Sequence, residues 1–154
     1  MKLLSRFTTY LLLFVTLSIN VQAQNDIQSP TEFLGYELGS QWTPHHKVMD
    51  YFSYVAENSA MVNAEKYGES YEGRLLMLAV VSDTANMRRI EEIRTNNLKR
   101  TGLLEGDSTT DTTAIVWLSY NVHGNETSSS EAALKTIYEL VRPDNAETKS
   151  WLQN

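Results

Sequence analysis

The sequence predicts a layered α/β domain built on a mixed sheet, and three observations carry that prediction. Residues 74–82 (RLLMLAVVS) are apolar almost throughout, as in a strand covered on both faces. The Gly-bounded stretch Gly68-Glu69-Ser70-Tyr71-Glu72-Gly73 separates this run from a second extended one, residues 62–67, so the two predict a hairpin. A third apolar run, residues 113–120, sits between two helical patterns. The resulting order of helix, hairpin, helix, strand, helix is that of a layered α/β domain.

The chain has 154 residues, and its start reads as a secretion signal. Lys2 and Arg6 form a positive beginning, residues 10–19 (YLLLFVTLSI) an apolar centre, and Val21-Gln22-Ala23 a small-residue cleavage box. An apolar run of this length is about half of the ~20 residues that span a bilayer, so cleavage after Ala23 is expected rather than stable membrane insertion. The sequence contains no Cys, which excludes both disulfides and lipid attachment through cysteine. An exported, Cys-free chain fits a secreted or periplasmic location.

Net charge is −6, and the leader holds two of the 13 basic residues and none of the 19 acidic ones, so the mature chain is more acidic still. Acidic balance without a Lys/Arg cluster argues against nucleic acid or an anionic membrane surface as partner.

Taken in order, residues 24–42 read as an irregular lead-in anchored by Phe33, Leu34 and Tyr36. Thr43-Pro44 offers a hydroxyl cap followed by proline at the first helical position, and Val48, Phe52 and Val55 follow at helical spacing, predicting a helix over 44–58. After the hairpin, Ser82-Asp83-Thr84 caps a helix whose apolar positions are Met87, Ile90, Ile93 and Leu98. Residues 101–113 are rich in Gly, Ser, Thr and Asp and read as a surface loop, and the third strand follows, with Tyr120-Asn121 completing it. Ser128-Ser129-Ser130-Glu131 matches a capping box, opening a helix lined by Ala132, Ala133, Ile137, Leu140 and Val141 and ended by Pro143. Trp151-Leu152 is expected to begin a further element.

Chemistry concentrates at His123-Gly124-Asn125-Glu126. A strand end delivers an imidazole and a carboxylate three residues apart, with a small Gly between them. In open α/β sheets the carboxyl end of a strand is where ligands bind. Zinc takes imidazole nitrogen and carboxylate oxygen, and a catalytic zinc site uses three protein ligands plus an open position. The spacing alone is also compatible with a plain reading, in which His123 hydrogen-bonds a neighbour and Glu126 favours a helix N-terminus.

Other residues carry less. His45 and His46 point about 100° apart on a helix and are expected to be a solvated helix start. Asn125-Glu126-Thr127 is formally a glycosylation sequon, but a glycan there would block the candidate ligand. Trp42, Trp117 and Trp151 are expected in core or rim packing.

Two separated motifs, Tyr67-Gly-Glu-Ser-Tyr-Glu-Gly-Arg74 and Trp117-Leu-Ser-Tyr-Asn-Val-His-Gly-Asn-Glu126, resemble those of the zinc carboxypeptidases of the carboxypeptidase A superfamily. In that family a G-x-S-x-E-G-R turn joins two strands, and a later strand ends in H-x-x-E. The resemblance covers residues 43–154 and implies an α/β fold with helices on both faces of a mixed sheet, here truncated. It implies Zn²⁺ as cofactor, His123 and Glu126 as metal ligands, Arg74 near the substrate groove, and a peptide substrate shortened at its C-terminus. Arg74 can equally be a hairpin arginine paired with Glu72 or Glu69.

The family's second zinc His, its Asn-Arg pair, its Tyr and its general-base Glu have no counterpart in these residues, so no catalytic residue is assigned within them. The chain is expected to be an N-terminal portion of such an enzyme, inactive as it stands. The alternatives are a non-catalytic carboxypeptidase-like binding module and a related zinc amidase or deacylase.

Overall fold

A computed structural model of the chain describes residues 26–154. The leader predicted at residues 1–23 lies outside the described residues, and within them no helix is long and apolar enough to cross a membrane.

The elements run α1 (Pro30–Leu34), α2 (His45–Asn58), β1 (Val62–Glu69), β2 (Leu75–Val81), α3 (Thr84–Met87), α4 (Ile90–Arg100), α5 (Thr127–Val141) and α6 (Ala146–Leu152). The lead-in is more ordered than expected, because Ser29-Pro30-Thr31-Glu32 closes a capping box. The Ser29 side chain accepts from the Glu32 amide, and the Glu32 carboxylate accepts from the Ser29 amide at 2.8 Å. Proline at the first position suits the helix start, and Gly35, in the left-handed region at φ 78°, ends the turn.

Helix α2 forms as the spacing requires, but the cap sits one residue later than expected. Pro44 is extended at the cap position and no side chain caps the helix. The Thr43 hydroxyl is engaged elsewhere, donating to the Glu131 carboxylate. Val48, Tyr51 and Val55 form the buried stripe, with Phe52 only half-buried. Tyr51 is admitted because its hydroxyl finds a partner: it donates to the Gln28 carbonyl at 2.8 Å, and its ring meets Phe33 edge-on with centroids 5.1 Å apart.

β1 and β2 pair antiparallel from Val62↔Val81 to Glu69↔Leu75, with a bulge between Lys66 and Gly68. Their turn is stapled by Ser70, whose amide donates to the Arg74 carbonyl at 2.8 Å and whose hydroxyl accepts from the Arg74 amide at 3.1 Å. Gly73 takes φ 73°, the left-handed conformation that glycine adopts without a Cβ clash. The hairpin matches the expectation.

The core lies where α2 and α5 meet the hairpin: Val48, Tyr51, Val55, Val62, Leu134, Ile137 and Val141 form one buried cluster. Burial of each large aliphatic side chain contributes about 1.5–3 kcal/mol. Leu134, which the expected apolar stripe of α5 omitted, is fully buried, whereas Ala132 is exposed.

The helix after the hairpin is two helices. Asp83 caps α3, accepting from the Asn86 amide at 2.7 Å. The chain then leaves helical geometry at Arg89 (φ −124°, ψ 24°), whose guanidinium reaches Asp111 at 2.6 Å. Residues 151–152 close α6 rather than begin an element. The Leu152 carbonyl accepts from the Ser82 hydroxyl, the Asp83 amide and the Asn86 side chain at 3.0–3.2 Å, docking the helix end beside the hairpin.

The third strand is not formed. Residues 113–120 have no ladder partner, and the described sheet is the two-stranded hairpin. A strand is stabilised by hydrogen bonds to a neighbour, and apolar, β-branched composition cannot substitute for one. The mixed sheet is therefore a two-stranded antiparallel one, and α2 and α5 both pack against it. Trp42, Trp117 and Trp151 are all more than half exposed, contrary to their expected packing roles.

Candidate metal centre

The turn between residues 120 and 127 brings together the two side chains singled out in the sequence. The His123 ring Nδ1 and Glu126 Oε1 are hydrogen-bonded at 2.8 Å, and Glu126 Oε2 accepts from the His123 amide at 3.3 Å. The backbone closes the same loop, with the Glu126 amide donating to the His123 carbonyl at 3.1 Å. Glu126 is also the cap residue of α5, and the Ser129 amide donates to its carbonyl. Both side chains open to solvent, 71% and 44% exposed, so an ion would have free access.

The two side chains are thus hydrogen-bonded to each other, as the plain reading of the sequence has it, and they are also donor types that zinc takes. A catalytic zinc site uses three protein ligands, one more than this pair. Among the described residues no group of three or more His, Asp or Glu side chains is placed to hold a metal ion. His46 is exposed, and His45 is half-buried, more enclosed than a solvated helix start would be.

The helix behind the turn is held by Glu131 rather than by the predicted capping box. The helix begins at Thr127, and no side chain caps it. The Glu131 carboxylate turns away from Ser128 and accepts from the fully buried Thr43 hydroxyl and from the Gly39 amide at 3.1 Å. Tyr36 completes the latch by donating to Thr43 Oγ1 at 3.0 Å. The latch joins the lead-in to the helix whose first residues follow Glu126.

On the other side, the loop before residue 113 is pinned to α4. Asp111 Oδ1 accepts from the Thr113 hydroxyl at 2.6 Å and the Thr113 amide at 2.9 Å, and Oδ2 meets the Arg89 guanidinium. The Thr113 hydroxyl and amide, with the Arg89 charge, hold the Asp111 carboxyl down at about 2.

Arg74 lies at the hairpin turn and pairs with Glu72 at 2.8 Å. Among the described residues it makes no hydrogen bond or ion pair with His123 or Glu126.

Residues 48–154 match the sequence profile of a family described as zinc carboxypeptidase. The chain belongs to that family. No match was found among the curated proteins or the solved structures compared with it. The matched span contains the hairpin, the 120–127 turn and the helix behind it, so family membership and the His123–Glu126 convergence concern the same part of the chain.

The strand expected to end at Asn121 is absent, and Asn121 instead takes φ 54°, the one non-glycine residue with positive φ among the described residues. Its signal was available, since Asn enters the left-handed region more readily than other non-glycine residues.

Proposed function

We propose that His123 and Glu126 are two of the protein ligands of a zinc ion in a metallocarboxypeptidase that removes C-terminal residues from peptides outside the cytoplasm. The observation that carries this reading is the 2.8 Å convergence of Nδ1 and Oε1 on a solvent-open turn, inside a segment matched to the zinc carboxypeptidases.

Zinc held there would supply Lewis acidity toward a peptide carbonyl and activate water near neutral pH. The chain's own part is to keep the two donor groups together at the start of a long helix that the core holds in place. Among the described residues no third ligand joins them. Family resemblance puts Arg74 near the substrate groove, while its pairing with Glu72 fits the hairpin reading equally. The acidic chain gives no basic surface for nucleic acid.

In the intact protein, His123→Ala is expected to abolish both zinc content, read by elemental analysis, and release of C-terminal residues from peptides. Full activity and full zinc content in that variant would overturn the assignment.

A further inference from the structure

The unusual backbone at the candidate centre lies before the histidine. Gly124, between the two side chains, has no positive φ, and a Cβ there would meet open space. Asn121, two residues before His123, takes φ 54°. A non-glycine residue there is sterically disfavoured and persists only where its surroundings hold it.

Asn121 Oδ1 accepts from the Ser130 hydroxyl at 3.3 Å, and Ser130 is buried in the first turns of α5. One residue earlier, the Tyr120 hydroxyl donates to Thr136 Oγ1 at 2.9 Å. These two bonds tie the incoming chain to the helix that leaves the turn, so that His123 and Glu126 lie on a loop closed at its base. The left-handed step thus lies inside that closed loop, two residues before the imidazole.

We infer that Asn121 is a positioning residue for the His123–Glu126 pair, acting through its left-handed backbone with the Ser130 bond as its tether. The inference rests on the reading of His123 and Glu126 as zinc ligands. It assigns to Asn121 no contact with the metal.

The test is a titration of the chain with Zn²⁺ alone, followed by the NMR resonances of the His123 ring, for the natural sequence and for Asn121→Gly, Asn121→Ala and Asn121→Val. Glycine accepts positive φ but cannot bond Ser130, and is expected to keep zinc affinity within about threefold. Alanine and valine resist that conformation, and are expected to weaken it by about tenfold or more, the scale of a lost supporting contact at a metal site. Thermal unfolding without metal is expected to be the same for Gly and Ala, which separates positioning from a general loss of folding. Equal zinc affinity for Gly and Ala would overturn the inference while leaving the ligands standing. His123 resonances that ignore zinc in the natural sequence would overturn the ligand reading and this inference with it.

Discussion

Residues 45–62 and residues 113–122 are both more than half apolar but have opposite fates. In the first, Val48, Tyr51, Val55 and Val62 are buried against α5. In the second, Ile115, Val116, Trp117, Leu118 and Val122 are each more than half exposed. The difference is one of partners. A helix satisfies its own backbone and needs only one apolar stripe covered, which α5 and the hairpin do. An extended segment must find both backbone partners and side-chain cover on neighbouring strands, and the described residues give 113–122 neither. Apolar sequence is thus a demand for burial that the rest of the fold must meet.

The largest expected effect puts this contrast directly to the test. Leu134→Ala, at a fully buried position, is expected to cost about 2–5 kcal/mol in urea unfolding. Trp117→Ala, 74% exposed, is expected to change stability by less than about 0.5 kcal/mol despite removing a larger side chain. Equal losses at the two positions would mean that the 113–122 segment is packed after all.

A smaller effect concerns the join between the two regions. Glu131→Ala leaves the buried Thr43 hydroxyl without its acceptor and is expected to cost about 1–3 kcal/mol. Glu131→Gln, which retains an acceptor, should recover much of it; a neutral alanine variant in the same denaturation series would dismiss the latch.

The smallest effect is confined to the second region. The Asp111 carboxyl, held at about 2 when folded, titrates near its ordinary 3.8 when the loop is free. A lowered folded value means that ionised Asp111 favours the pinned loop above about pH 4, and that this contribution is lost as pH falls through about 2. Amide exchange of Thr113 is expected to accelerate across that acid window before the Val55 amide responds. Simultaneous acceleration of both would show that the two regions open as one.

Much of this was legible residue by residue. Proline at position 44 and the spacing of Val48 and Val55 marked α2, and Gly73 and Ser70 marked the hairpin turn, because caps, periodicity and glycine conformations are properties of a few neighbouring residues. Ser128 and Glu131 match a capping box in pattern but do not form one, because Glu131 is taken by Thr43 and Gly39 from far along the chain. The same limit applies to Tyr51, which is buried because Gln28 and Phe33 receive it.

The sequence by itself determined that helices follow residue 44 and residue 126, the hairpin between them, and the presence of an imidazole and a carboxylate three residues apart. Tertiary structure alone decided that α2 and α5 share one core, that Glu131 latches to the lead-in, and that a left-handed Asn121 precedes the ligand pair. The physical reason is range. Steric and capping preferences act over a few bonds, whereas burial and strand pairing depend on which distant residues arrive to remove water and complete the hydrogen bonds.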